Sequence, residues 1–173
     1  PCPKEDMDAA ISHRTAAIYY LESGWVAPGA PSLTETIDTA KRHRLPIIMD
    51  AAAMLPPTAN LWNYTKAGVD LVVFSGGKDL KGPQASGLIV GRKTLIDLLL
   101  ESAFPKHGYG RFLKVGKEEI IGLYSAIKQY LTLDQEAQIQ NAEDQVKLAC
   151  QMLNTHPGYH ALRSYPNEAG QPI

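Results

Sequence analysis

The chain has 173 residues, 45% hydrophobic and 20% charged, with a formal net charge of -1. That is enough length for one domain with a real core, and an ordinary globular composition. The near-zero charge gives no bulk attraction to nucleic acid or to an anionic membrane. The apolar runs are short: Leu95 to Leu100 is typical, and Asp97 interrupts it. None nears the roughly 20 residues that cross a bilayer. Pro1-Cys2-Pro3-Lys4-Glu5-Asp6 lacks the apolar stretch of a secretory signal. Cys2 and Cys150 stand far apart and in no metal-like spacing, so no disulfide framework is expected and a reducing cytoplasm is the default. A start without Met and a turn-rich close from Asn167 to Ile173 read as a piece of a longer protein.

In chain order, residues 6–13 predict a short helix and 15–21 a buried strand. A Gly/Pro-rich loop follows, from Gly24 to Pro31. Ser32-Leu33-Thr34-Glu35 has capping-box spacing, and Leu33, Ile37, Ala40 and Arg44 then recur at helical intervals. Pro46 to Asp50 is a short apolar run ending in a carboxylate. Residues 60–67 predict a brief helix stopped by Gly68. Asp70 to Phe74 and Ser86 to Val90 predict two further strands, and 93–101 a helix.

Helices thus alternate with continuous apolar strands over the first hundred residues. Such strands predict a mostly parallel α/β sheet covered on both faces. Residues 102–116 carry Pro105, Gly108, Gly110 and Gly116 and should be irregular. From Lys117 to Asn154 the pattern is helical, as one long helix or two nearly continuous ones, and Pro157-Gly158 ends it. Residues 159–165 are expected to begin a strand of a smaller domain. The expected division is an α/β portion over 1–116, a helical connection over 117–156 and the start of a C-terminal small domain over 157–173.

Open α/β sheets bind ligands beyond the carboxyl ends of their strands. Two such ends carry unusual residues: Asp50, and Ser75-Gly76-Gly77-Lys78. The 28 residues between Asp50 and Lys78 are about one strand–helix–strand crossover, which predicts that both face one crevice. Each has a plainer reading. Lys78 fits a surface loop, Asp50 a helix cap, and Ser75 its own turn. Their convergence tells more than any member.

Other motifs fit less well. A phosphate loop needs glycine where Val72 stands and Ser or Thr where Asp79 stands. Ser75 and Lys78 match the S-x-x-K acylation motif, but no S-D-N or K-T-G partner accompanies them. His156 and His160 flank the helix-breaking Pro157-Gly158, so they do not share a metal-binding face, and no metal is expected.

Ser75-Gly76-Gly77-Lys78-Asp79-Leu80-Lys81-Gly82-Pro83-Gln84-Ala85-Ser86-Gly87 resembles the cofactor-lysine segment of the selenocysteine synthase (L-seryl-tRNA selenium transferase) family. The resemblance is closer to the branch that contains D-glucosaminate-6-phosphate ammonia-lyase. Supporting stretches are Pro46 to Ala52, Asn60-Leu61, Gly110-Arg111, Lys114 to Glu118 and Asn167 to Pro172.

This resemblance implies the aspartate-aminotransferase type (fold type I) of pyridoxal-phosphate fold, with 1–116 as part of its cofactor-binding large domain. It implies that Lys78 forms the Schiff base with pyridoxal phosphate and that Asp50 pairs with the pyridine nitrogen. Ser75 would contact the cofactor phosphate, with Gly76 and Gly77 letting backbone approach it. Arg111, Lys114 and Lys117 form a basic cluster able to hold a substrate phosphate or carboxylate, or else a solvated face.

The implied reaction is an α,β-elimination on a small amino acid or amino-sugar acid. Lys78 takes the Cα proton, water leaves, and ammonia and a keto acid are released. Alternatives are a selenium transferase, an aminotransferase, or a non-catalytic piece with an incomplete site, because the family's phosphate-cradling loop precedes the matched region. A tRNA partner is not expected at this net charge. A homo-oligomer is.

Overall fold

The computed structural model describes residues 3–23 and 29–164. Residues 24–28 of the expected loop, Cys2 and the Asn167–Pro172 stretch lie outside the described residues.

Helix α1 spans Lys4–Ala10. It ends before residue 13 because Ser12 and Thr15 bond locally instead: the Ser12 N–H donates to Thr15 Oγ1 and the Thr15 N–H to the Ser12 carbonyl. Strand β1 is then Ile18–Leu21. Helix α2, Leu33–His43, opens on the capping box: Ser32 Oγ accepts from the Glu35 N–H at 3.2 Å, and the Glu35 carboxylate accepts from the Ser32 N–H at 2.9 Å. Arg44 closes it in a left-handed conformation and so lies outside the helix.

Strand β2 is Ile47–Asp50, helix α3 Asn60–Ala67 and strand β3 Leu71–Ser75. Gly68 stops α3 at φ 118, a conformation glycine adopts without a Cβ penalty. Asp70 stays outside β3, and its carboxylate accepts from the Ile47 N–H at 2.9 Å. Strand β4, Gly87–Gly91, and helix α4, Lys93–Ser102, follow.

The helical stretch after 116 is two helices, α5 over Lys117–Tyr130 and α6 over Gln135–Leu153. The break is made by Asp134, whose side chain caps α6 by accepting from the Ala137 N–H at 3.0 Å. No strand forms over 159–164. The Asn154 side chain instead makes two hydrogen bonds to the Ala161 backbone, at 3.0 and 2.8 Å, folding this segment back on α6.

The sheet order is β1-β2-β3-β4, parallel at the first two pairings and antiparallel at the last. The α/β, mostly parallel architecture is therefore as expected. Burial is not. The core takes Ile18, Tyr20, Ile47, Met49, Val72, Phe74, Leu88 and Val90 from one face, packed with Ile37, Ala40 and Leu61 of α2 and α3. The alternating residues Tyr19, Leu21, Ile48, Val73 and Ile89 take no part in it. Tyr19 is 66%, Leu21 40% and Ile89 44% exposed.

The expectation of a sheet covered on both faces, with a buried first strand, is thus corrected. Two crossovers of the same hand stepping in one direction put both helices on one side. Among the described residues the other side is only partly covered: Leu71 is buried there, while Tyr19, Leu21 and Ile89 are exposed.

Candidate active site

The parallel pairing of β2 and β3 brings both strand ends to the same edge of the sheet. Asp50 is in register with Val73, so Ser75 lies one pleat further along and on the same, open face as Asp50. Lys78 follows three residues later in the turn leaving β3. The carboxylate and the lysine turn therefore leave neighbouring strands at the same carboxyl edge, which is the part of the crossover reading that the register bears on.

Asp50 is half-buried and held at both oxygens. The Tyr19 hydroxyl donates to Oδ2 at 2.8 Å, and the Ala52 N–H donates to Oδ1 at 3.0 Å. The second bond closes an Asx turn. Asp50 caps no helix, since α3 begins at Asn60 with Ala59 as its N-cap. The neighbouring carboxylate raises the Tyr19 phenol above its ordinary range, first through the hydrogen bond and then through burial. Tyr19 thus stays a donor, clamping the carboxylate from the next strand. Sequence reading missed it. The signal was the Ile-Tyr-Tyr-Leu alternation, which turns Tyr19 to the open face and Tyr20 to the core.

The lysine turn is tightly built. The Gly76 N–H donates to the Ser86 carbonyl at 2.9 Å, and the Gly82 N–H returns to the Gly76 carbonyl at 2.7 Å. Gln84 Nε2 donates to the Gly77 carbonyl at 3.0 Å. A Cβ on Gly76 would stand 2.1 Å from Ser86 Oγ, and one on Gly77 2.7 Å from Gln84 Cα. Both positions therefore exclude a side chain because the chain's own return segment crosses them. Lys81 adopts a left-handed conformation, φ 56, to complete the loop.

Two groups in this turn remain available. Among the described residues the Ser75 hydroxyl has no hydrogen-bond partner, and the exposed Lys78 amine has neither a hydrogen bond nor an ion pair. Asp79 is engaged, accepting from the buried Tyr130 hydroxyl at 2.5 Å.

Arg111 and Lys114 lie over the Phe104 ring, at 4.5 and 5.0 Å from its centroid. They form a pair, while exposed Lys117 starts α5 without sharing that contact. Phe104 lines a cavity of about 380 Å³ that also borders Ser86 and Gly87 of the lysine turn's return segment. No hydrogen bond or ion pair links this cluster to Asp50 or Lys78 among the described residues. The described residues contain no cluster suited to a metal ion and no helix long and apolar enough to cross a membrane.

Comparison with known proteins adds to this geometry. The chain is 34% identical over 175 residues to a 5'-C-glycyluridine monooxygenase-decarboxylase from a Streptomyces species, covering 99% of this chain and 41% of that protein. It is 36% identical over 126 residues to D-glucosaminate-6-phosphate ammonia lyase of Salmonella typhimurium, covering 72% of this chain and 32% of that one. The chain thus spans between about a third and two-fifths of the length of these relatives.

A solved D-glucosaminate-6-phosphate ammonia-lyase superposes with a TM-score of 0.64 at 33% identity, over 76% of this chain and 34% of that one. Cystathionine gamma-lyase from Lactobacillus plantarum, at 20% identity, shares the fold with a TM-score of 0.58 over 90% of this chain and 38% of its own. The L-seryl-tRNA selenium transferase family matches residues 45–154, from the start of β2 to the end of α6. On that match the chain belongs to the L-seryl-tRNA selenium transferase family, with the fold type I architecture of the pyridoxal-phosphate enzymes.

Proposed function

We propose that this protein is a pyridoxal-phosphate-dependent enzyme of the lyase and transferase kind, in which Lys78 holds the cofactor covalently. The observation that carries the reading is an amine without a partner and a carboxylate fixed by two donors, leaving neighbouring parallel strands at one edge of the sheet. This donor set fits the cofactor. A reactive lysine must be unencumbered to attack an aldehyde. A carboxylate beside a pyridine nitrogen keeps that nitrogen protonated through opposite charge at short range. The unpartnered Ser75 hydroxyl suits a phosphate oxygen.

When bound, pyridoxal phosphate supplies an electron sink for the pair left at a substrate Cα. The protein's part is to aim and to move protons. Asp50, clamped by Tyr19 and the Ala52 N–H, holds its charge in one place. Lys78 Nζ is the group that would accept the Cα proton and return a proton to the leaving group. Arg111 and Lys114 supply cations for a substrate phosphate or carboxylate; Lys117, apart from them, contributes at most at longer range.

The favoured reaction is α,β-elimination from an amino acid or amino-sugar acid with release of ammonia and a keto acid, supported by likeness to the ammonia-lyase in both sequence and structure. A second reading, oxygen-dependent decarboxylation of an amino acid, is favoured by the 99% of this chain that aligns with the 5'-C-glycyluridine monooxygenase-decarboxylase. We also propose a homo-oligomer, supported by the exposed apolar side chains Tyr109, Phe112, Leu113, Ile120, Ile121 and Tyr124.

Purified protein mixed with pyridoxal phosphate should absorb near the visible, and borohydride should fix the cofactor on Lys78, as read by peptide mass spectrometry. An adduct on other lysines only, or none, overturns the reading. Measuring ammonia against carbon dioxide from amino-sugar acids and glycyl nucleosides separates the two reactions.

A further inference from the structure

Lys78 and Asp79 are consecutive in one tight turn, so the carboxylate is the acidic group nearest the amine along the chain. Here they are not paired. Asp79 Oδ2 accepts from the Tyr130 hydroxyl at 2.5 Å, and Lys78 is left without a partner among the described residues. Tyr130 is the last residue of α5 and is 2% exposed. Burial first, and the Asp79 bond second, hold its phenol well above the ordinary range, so it remains a donor. Gln135 and Thr58 also face the Tyr130 oxygen, and the Thr58 N–H donates to Gln135 Oε1 at 2.9 Å.

Asp79 and Lys81 line a cavity of about 490 Å³ against α6. The charged groups across it, Glu143 and Arg163, pair with each other. The cations nearest Asp79 along the chain are thus Lys78 and Lys81, on its own turn.

We propose that Tyr130 is a positioning residue that draws the Asp79 carboxylate away from Lys78 and so leaves the lysine amine free to react with an aldehyde. The inference rests on the cofactor reading above. An ammonium carries no lone pair for attack, and one paired with a carboxylate gives up its proton less readily. The neutral amine has the lone pair: Nζ bonds to the aldehyde carbon, a carbon–nitrogen double bond forms, and the carbonyl oxygen leaves as water with the two amine protons. A carboxylate next in sequence favours the charged amine unless something else holds it. Tyr130 is that holder, and its ring also packs the turn onto the core.

The test is the rate at which pyridoxal phosphate plus borohydride labels Lys78, followed by peptide mass spectrometry across pH, with exposed Lys147 of α6 as the internal reference. In Tyr130→Phe, Lys78 labelling near neutral pH should fall about tenfold relative to Lys147, the scale of one charged hydrogen bond. The midpoint of its pH profile should move upward. Asp79→Asn removes the charge and should label at least as fast as wild type, with no upward shift. Adding Asp79→Asn to Tyr130→Phe should restore labelling.

A Tyr130→Phe variant with the wild-type rate and pH profile overturns the inference alone. So does a loss that Asp79→Asn fails to rescue, which marks a purely structural role. Should Tyr130→Phe not fold, slower labelling in Asp79→Asn by itself overturns it. Absence of preferential Lys78 labelling in wild type is a different failure, since it sinks the cofactor reading from which this inference starts.

Discussion

The two faces of the sheet are made by the same strands and differ in almost everything else. On the covered face, Met49, Val72 and Phe74 are fully shielded by α2 and α3. On the open face the same strands present Asp50, Val73 and Ser75, with Tyr19 reaching across from β1. A pleated strand turns successive side chains to opposite sides, so Phe74 and Ser75, neighbours in sequence, belong to different parts of the molecule. The buried apolar packing is concentrated on one face and the proposed chemistry on the other, and the strand register keeps them aligned.

Paired substitutions on β3 test this division most strongly. Phe74→Ala removes a fully buried ring and should cost about 3–5 kcal/mol in denaturant unfolding. Ser75→Ala, one residue on, should change stability by no more than about 0.5 kcal/mol while weakening affinity for pyridoxal phosphate. Comparable destabilisation by the two variants would break the distinction between the faces.

Asp50→Asn sharpens it. Shape and the Tyr19 contact are retained, but the charge is gone. Loss of an opposite charge at short range is worth about 1–3 pK units on its partner. The near-visible spectrum of bound cofactor should therefore change its pH dependence, and turnover should fall by about tenfold or more. A spectrum and rate indistinguishable from wild type would remove Asp50 from the site.

The smallest expected effect lies away from both faces, where α1 meets α2. Asp8 accepts from Arg42 at 3.0 and 2.9 Å and contacts His43 Nε2 at 2.7 Å. Arg42 first, and His43 second, hold its carboxyl below the usual range. A depressed carboxylate stabilises the folded form above its unfolded pKa, and that contribution is lost as pH falls through the folded value. Amide exchange in α1 should quicken below the ordinary carboxylate range, pH about 4, and the sheet should not respond. An Asp8→Asn variant showing the same acid response would exclude this pair as its cause.

Much of the architecture was legible in the sequence because local signals carried it. The Ser32–Glu35 capping box, the Gly68 stop and the apolar runs at 46–50 and 70–74 are short-range statements, and the strands formed within one residue of those runs. The shared edge for Asp50 and the lysine turn followed from crossover length. What escaped was long-range. An apolar strand does not reveal whether both its sides are covered, so β1 was expected to be buried although Tyr19 and Leu21 face outward. The Tyr19–Asp50 and Tyr130–Asp79 bonds join residues 31 and 51 positions apart, and neither spacing has a sequence signature. The glycines at 76 and 77 were legible as a sharp turn. Their need to admit Ser86 and Gln84 was not, because that depends on where the chain returns.

The central claim is that one carboxylate and one amine grip opposite parts of a single cofactor from neighbouring strand ends. A crystal structure of the protein grown with pyridoxal phosphate tests it most directly. The account requires the cofactor joined to Lys78 on the open face, with its ring nitrogen within about 3 Å of the Asp50 carboxylate. A cofactor bound through another lysine, or one whose ring nitrogen points away from Asp50, would contradict it.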